Sequence, residues 1–255
     1  MPEEKVPTQH GPMPAYVARP AGQGPFPGVV VIHDIVGMGA DVRGHADWFA
    51  SIGYLAVAPD LFYWGSRFAC IRGVMRETMA RSGRTFDDIE AARAFLTRQP
   101  ECSGKVGVIG FCMGGGFALL LAPRGQYAAA APCYGRVPGD VEAILGGACP
   151  VVASFGAKDR GLRRAADKLE RALTARGVVH DVKEYPDAGH GFMNVHGPGE
   201  MSAALRVLMK VMGVGYHGPS ADDARRRIHT FFDAHLRSVV GTGATPGGGP
   251  SPQPR

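Results

Sequence analysis

Short, unbroken apolar runs separated by longer segments of mixed polarity set the rhythm of this chain. Residues 29–32, 55–58, 106–109, 128–131 and 151–155 are such runs, each bounded by Gly or Pro. Runs that are apolar throughout suit strands covered on both faces, as in a parallel sheet. Residues 180–184 read as a further strand. Between the runs the apolar spacing changes to that of helices. Ile89, Ala92, Phe95 and Leu96 fall on one helical face after Thr85-Phe-Asp-Asp88, which has the form of a capping box. Leu162, Ala166, Leu169 and Leu173 form a second stripe, closed by Gly177. Ser220 precedes a third, with Ala224, Ile228, Phe231, Phe232 and Leu236 as its inner face. Alternating strands and helices predict a doubly wound α/β fold, a mostly parallel sheet with helices on both faces.

Three segments break the rhythm. Residues 62–84 read as a long connection of aromatics and arginines, placed after a strand end and therefore over the carboxyl edge of the sheet. Residues 200–213 read as an extra apolar helix, either a packing element or a cover over the active site. The Gly/Pro-rich stretch 241–255 cannot form a core and is expected to be disordered. A single domain over residues 1–240 is the expectation for a chain of 255 residues.

Composition adds few constraints. At 45% hydrophobic and 20% charged residues the chain is of ordinary globular type, and no run approaches the roughly 18 apolar residues of a membrane span. The five cysteines, at 70, 102, 112, 133 and 149, form no CxxC pair and no metal-ligand spacing. Unpaired, scattered cysteines and an N-terminus without an apolar run lead to the expectation of a cytoplasmic protein. The formal charge of +5 is dispersed, with acids interleaved; Arg225-Arg226-Arg227 follows Asp222-Asp223 and reads as a solvated face. That distribution disfavours a nucleic-acid partner and suits modest attraction of an anionic small molecule.

The chemistry concentrates at Gly110-Phe111-Cys112-Met113-Gly114, between the run 106–109 and the apolar segment that follows. A G-x-nucleophile-x-G turn from strand to helix is the nucleophile elbow of α/β-hydrolases, here with Cys in the Ser position. The glycines leave room where strand and helix converge, and the helix N-terminal amides favour a thiolate and any oxyanion beside it. A buried cysteine in a nucleotide-binding turn is the alternative reading of this segment alone. A thiol nucleophile needs a base and a group that orients the base. In this fold they follow the nucleophile in the order acid, then histidine. Asp159 lies just after the run 151–155 and His190 just after 180–184, each at a predicted carboxyl end. His33 and His196 compete for the role of base, with His33 placed better to shape the loop beside the elbow.

These residues carry a specific resemblance. The stretches His33-Asp34-Ile35-Val36-Gly37, Ala58-Pro59-Asp60-Leu61-Phe62, Gly110-Phe111-Cys112-Met113-Gly114-Gly115, Tyr134-Gly135, Gly156-Ala157-Lys158-Asp159 and His190-Gly191-Phe192 are similar to those of the dienelactone hydrolase family, carboxymethylenebutenolidase-like α/β-hydrolases. The resemblance covers about residues 6 to 238. It implies Cys112 as nucleophile, His190 as base, Asp159 as orienting acid, and the backbone N–H groups of Ile35 and Met113 as oxyanion hole. It also implies control of the resting thiol by a carboxylate at the position of Asp34, where the family's best-known members carry glutamate. Asn194 stands where members that bind a substrate carboxylate present an arginine; Arg67, Arg72 and Arg76 are the replacements to consider. Tyr63, Trp64, Phe111, Tyr134 and Phe192, with Asn194, are the candidate substrate contacts.

The expected activity is hydrolysis of an enol lactone or other activated carboxylic ester through a thioester, with no cofactor or metal and with no nucleic-acid or membrane partner. A thiolate leaves more readily than an alkoxide, so the cysteine points to substrates with good leaving groups. An aryl esterase or thioesterase of the same mechanism is the nearest alternative. A non-catalytic ligand-binding relative is the alternative from another class.

Overall fold

The computed structural model describes residues 3–195 and 215–237. Its centre is an eight-stranded sheet. In chain order the strands are β1 (Glu3–Thr8), β2 (Gly11–Ala18), β3 (Phe26–Ile32), β4 (Leu55–Pro59), β5 (Cys102–Phe111), β6 (Ala129–Cys133), β7 (Val151–Gly156) and β8 (His180–Tyr185). The spatial order is β1-β2-β4-β3-β5-β6-β7-β8. From β4 to β8 every pairing is parallel, whereas β1 pairs antiparallel with β2 and β2 antiparallel with β4. The order doubles back between β3 and β4, so chain connections run outward to both sides from the sheet centre.

The helices are α1 (Ala40–Ser51), α2 (Arg67–Ala80), α3 (Arg84–Thr97), α4 (Met113–Leu121), α5 (Val141–Ile144), α6 (Ala165–Ala175) and α7 (Gly218–Leu236). Two apolar cores result, one on each face. Phe86 and Leu96 of α3, Phe117 of α4 and Leu169 of α6 pack with Val30, Val108 and Ala153 of the sheet. Phe49 of α1 and Ile228 and Phe232 of α7 pack with Val29, Val31 and Ile109, the strand residues of opposite parity. Alternate strand positions feed opposite faces, and both faces are covered. That is why the central strands are apolar without interruption.

Several expectations change. The segment 62–84 is not an open connection, because α2 occupies most of it, started by Ser66, whose side chain accepts from Ala69 N at 3.4 Å. The Thr85–Asp88 capping box does not form. α3 begins at Arg84, and the carboxylate of Glu77 on α2 accepts from Thr85 N at 2.8 Å. Asp88 is buried beside Arg84 instead. Leu162 sits in a 3-10 turn ahead of α6 rather than in the helix. α7 begins two residues before Ser220, whose hydroxyl bonds His217 Nδ1 at 2.8 Å, and Phe231 is only partly buried. Arg227 leaves the solvated face assigned to it: it donates to the Asp181 carboxylate at 2.7 Å and to Tyr185 OH at 3.1 Å, tying α7 to β8. The helix expected at 200–213, the tail 241–255 and His196 lie outside the described residues.

Candidate active site

The strand β5 runs straight into α4 through Cys112, whose backbone is at φ 53°, ψ −110°. This left-handed φ is costly for a side chain with a Cβ, and such conformations persist only where the surroundings enforce them. Enforcement is visible on both sides. Cys112 N donates to Cys133 O at 3.1 Å and Gly116 N donates to Cys112 O at 3.2 Å. A side chain at Gly110 would collide with the Gly114 carbonyl, and one at Gly114 with the carbonyls of Ile32 and His33. Only glycine fits at either place, so the spacing read from the sequence has a steric cause.

Asp159 and His190 come from neighbouring strand ends. The loops after β7 and β8 are joined by Ala157 N to Tyr185 O and Lys158 N to Ala188 O, both 2.9 Å. This pairing presents Asp159 to His190, and His190 Nδ1 donates to Asp159 Oδ2 at 2.6 Å. The other carboxylate oxygen accepts from Gly161 N at 2.9 Å, so Asp159 also caps the turn that follows it. The Asp159 side chain is 7% exposed and that of His190 26%.

Burial alone would lower the His190 pKa. Hydrogen bonds to Asp159 and Cys112, with the charges of both, outweigh it and raise the value to about 10. Burial likewise opposes ionisation of Asp159, but His190 and the amides of Gly161 and Leu162 hold its pKa below the usual carboxylate range. The imidazole therefore lies between a carboxylate and a thiol, in contact with each. Burial raises the thiols of Cys133 and Cys149 to about 12. All five are free.

Cys112 and His190 open onto a cavity of about 220 Å³ whose wall includes Ile35, Met113, Tyr134 and Leu162. Ile35 and Met113, the two residues expected to supply oxyanion-hole amides, thus stand at the same cavity as the thiol. Met75, Thr78 and Met79 of α2 complete one side. These three were not anticipated, although Met75 and Met79 have the i, i+4 spacing of one helical face.

Of the six proposed substrate contacts only Tyr134 reaches this cavity. Tyr63 and Trp64 lie against the Arg84 guanidinium, at 4.9 and 5.3 Å from their ring centres. Phe111 is buried and stacked on His45, and Phe192 is buried between Tyr134 and Tyr185. Asn194 is buried in a closed polar cluster. Its Oδ1 accepts from Tyr134 OH at 2.8 Å and His45 Nε2 at 3.1 Å, and its Nδ2 donates to Asp34 Oδ2 at 2.8 Å. These five residues are supports, not walls. Asp34 also accepts from Val36 N at 2.7 Å, shaping the loop that carries Ile35. Burial and the nearby charges of Asp34 and Cys112 are among the causes that raise the Tyr134 hydroxyl well above its ordinary pKa.

His33 is excluded as the base by its own hydrogen bonds. Its Nδ1 donates to Asp34 O at 2.7 Å while Nε2 accepts from Leu61 N at 3.1 Å. Both nitrogens are occupied by backbone, and burial lowers its pKa. It shapes the loop beside the elbow, as its position suggests. Arg67 donates to Ile35 O at 3.3 Å, near the cavity, whereas Arg72 lies over Phe68. Among the described residues no group of His, Cys, Asp or Glu could hold a metal, and no helix is long and apolar enough to cross a membrane.

The sheet order, the left-handed elbow and the acid–histidine pair at successive strand ends define an α/β-hydrolase. Residues 13–236 match the model of the Dienelactone hydrolase family, to which the chain belongs. The chain is 31% identical over 247 residues to a Methylorubrum extorquens protein named "Putative carboxymethylenebutenolidase", covering 90% of this chain and 79% of the relative. It is 28% identical over 200 residues to the carboxymethylenebutenolidase of Pseudomonas putida, covering 74% and 84%. Among solved structures, "Putative Dienelactone Hydrolase" from Klebsiella pneumoniae superposes with a TM-score of 0.74 at 26% identity, over 91% of this chain and 97% of that one. The protein is a carboxylic ester or lactone hydrolase of the dienelactone hydrolase type.

Proposed function

We propose that Cys112 is the nucleophile of a hydrolase acting on enol lactones and other activated carboxylic esters through a thioester, with His190 as its base and Asp159 as the orienting acid. The observation that carries this reading is the placement of His190. One nitrogen is 2.6 Å from Asp159, and the ring also bonds Cys112 on the wall of the cavity.

The Cys112 proton passes to His190, and the thiolate attacks the substrate carbonyl. The carbonyl π pair moves to oxygen, where the N–H groups of Ile35 and Met113 stabilise the oxyanion. Collapse re-forms the carbonyl and breaks the bond to the leaving oxygen, which takes the proton from His190. Water then attacks the thioester, giving a proton to His190, and the thiolate departs with acid as product. Water supplies the only co-reactant. Collapse partitions between two leaving groups. An alkoxide competes poorly with a thiolate, whereas an enolate, phenolate or second thiolate competes well. The small apolar wall suits a compact acyl or lactone ring.

The charges of Asp34 and Cys112 both act on the Tyr134 hydroxyl, and Asp34 is assigned restraint of the resting nucleophile, since like charges disfavour joint ionisation. Turnover of matched enol lactones, aryl esters, thioesters and alkyl esters tests the reading, with mass spectrometry of Cys112 under substrate. The expected result is an acyl mass on the Cys112 peptide and kcat/KM that rises with leaving-group acidity. Turnover without an acyl-Cys112 species, and undiminished in Cys112→Ala, would overturn it.

A further inference from the structure

Next to the catalytic cavity lies a second and larger depression. It has a volume of about 460 Å³ and is lined by Arg136, Arg163, Arg164, Lys168 and Arg171, with no Asp or Glu in its wall. Arg136 and Leu162 line both cavities, so the groove adjoins the cavity of Cys112 and His190. The five cations come from three places in the chain: the segment after β6, the turn before α6, and α6 itself.

Two properties characterise this groove. The first concerns pairing. Arg19, Arg43, Arg81, Arg84, Arg93, Arg227 and Arg237 each hold a carboxylate. Among the described residues, none of the five groove cations has an ion pair. Asp140 senses the charge of Lys168, but it is already bound by Arg81 at 2.5 Å. The second concerns the helix. α6, eleven residues long, begins at Ala165 in the groove wall, and its N-cap is Arg164, which makes no side-chain cap. A capping Ser, Thr or Asp is the usual solution there. This start instead carries a cation on a left-handed backbone at φ 61°. Uncapped N-terminal amides add a positive end to a wall that is already cationic. The first-turn acid Asp167 is exposed and does not line the groove.

We infer that this groove selects substrates by binding a multiply charged anionic group, a phosphate, phosphonate or pair of carboxylates, attached to the ester whose carbonyl reaches Cys112. The inference rests on the hydrolytic reading above and adds the substrate class. One carboxylate would leave most of five cations unneutralised, whereas a dianion accepts several charge-assisted hydrogen bonds from guanidinium groups. The shared Arg136 stands where the reacting end and the charged end of one molecule meet.

The test uses the full chain, the Arg163→Gln/Lys168→Gln variant, and a control, Arg98→Gln/Lys105→Gln. The control removes the same charge near the start of β5, at the opposite end of that strand from Cys112. Binding of pyrophosphate and of succinate is measured by calorimetry. kcat/KM is measured for three 4-nitrophenyl esters: the neutral acetate, the hemisuccinate and the 3-phosphonopropanoate. Pyrophosphate should bind wild type and control, and about fivefold or more weakly to the groove variant. Succinate should bind more weakly than pyrophosphate, and binding equal to or tighter than pyrophosphate would place the dicarboxylate first. The phosphonate ester should be preferred over the acetate at about 0.01 M salt, and the preference should collapse towards 1 M as the Debye length shrinks from about 30 Å to about 3 Å. Loss of the two groove cations should lower that preference, and the control should keep it. Absent anion binding together with equal turnover of neutral and anionic esters overturns the inference and leaves the hydrolase intact. Anion binding lost in the groove variant, with no ester turned over, overturns the hydrolytic reading and retains the groove as an anion site.

Discussion

His190 Nδ1 stands 2.6 Å from Asp159 Oδ2 because two backbone hydrogen bonds join the loops after β7 and β8. The acid is nearly buried and its second oxygen is taken by Gly161 N, so the carboxylate has little freedom to turn away. Its charge is delivered to one atom, and the other ring nitrogen is left for the thiol.

The pH dependence follows from that relationship. Once His190 holds the Cys112 proton, Asp159 and the thiolate charge raise its pKa to about 10 against the lowering effect of burial, so the imidazolium is retained through neutral pH. Acylation needs that proton for the leaving group, so its rate should hold through neutral pH and fall as pH rises through about 10. In Asp159→Asn the carboxylate charge is gone, the His190 pKa drops, and the alkaline limb should move to lower pH. Single-turnover release of phenol from a phenyl ester, a leaving group that still takes up a proton over most of this range, measured between pH 6 and 11, reads the alkaline limb of each protein. An alkaline limb at the same pH in both proteins would separate Asp159 from the titration of His190.

On the proposed mechanism Cys112→Ala should lower turnover by several orders of magnitude, since the covalent step is lost. Activity above about a tenth of wild type would be only about 1.4 kcal/mol of barrier, too little for a nucleophile. Cys70, Cys102, Cys133 and Cys149 should each tolerate Ser or Ala with far smaller losses of activity. Burial raises the thiols of Cys133 and Cys149 to about 12, so iodoacetamide at neutral pH should label Cys112 ahead of them. Peptide mapping of the alkylated protein reads this directly.

Gly114→Ala should destabilise the protein by about 1–3 kcal/mol or more, because its Cβ would press into the carbonyls of Ile32 and His33, which cannot give way separately. Gly146→Ala, with nothing near the added carbon, should have little effect. Urea unfolding of the two variants makes the comparison. Equal midpoints would show that the elbow relaxes freely.

The residues that could be read in advance share a cause. The cores of β3 to β7 are visible because parallel strands covered on both faces read as continuous apolar runs, whereas β8, at the sheet edge, is largely polar and shows itself only by its place between a helix and a loop. β1 and β2 are antiparallel, lie at the sheet edge and carry Pro7, Pro12 and Pro14, so they show neither a continuous nor a cleanly alternating run. α2 is missed because most of its surface is polar and only Cys70, Gly73 and Val74 are buried. The start of α3 is misread because its cap comes from Glu77 on another helix, a contact no local spacing encodes. Cys112, Asp159 and His190 are readable because each sits at a strand end in a fixed chain order. Phe111, Phe192 and Asn194 are adjacent to or near those residues, yet their side chains point into the support. Residue type does not say which way a side chain faces.

That misplacement of Asn194 becomes a prediction. Its side chain satisfies Tyr134, His45 and Asp34 at once. Asn194→Ala leaves three buried polar groups short of a partner, each costing about 1–3 kcal/mol if no water enters. Asn194→Arg should be as damaging, because it forces a guanidinium into the same space. Both should lower the unfolding midpoint substantially, and the Asn194→Arg protein should show no improvement in kcat/KM for a carboxylate-bearing lactone. A stable Asn194→Arg protein with a selective gain on that lactone would show that the side chain can swing to the cavity.

The role of Asp34 can be separated from its structural bonds. Its Oδ1 holds Val36 N and its Oδ2 holds Asn194, while its charge and that of Cys112 both act on the Tyr134 hydroxyl. If Asp34 restrains the thiol as proposed, Asp34→Asn should raise the rate of Cys112 alkylation by iodoacetamide at neutral pH. Alkylation follows the reactive thiolate population, and loss of one opposing interaction of about 1.4 kcal/mol changes such a population about tenfold. A rise of about two- to tenfold is therefore expected. Asn keeps an oxygen for Val36 N but turns an amide donor towards Asn194, so circular dichroism and the unfolding midpoint must accompany the rate. Asp34→Ala removes the charge without that clash and should raise alkylation in the same direction. Unchanged alkylation in both variants, with the fold intact, would leave Asp34 as a support for the Ile35 loop and remove it from control of the thiol.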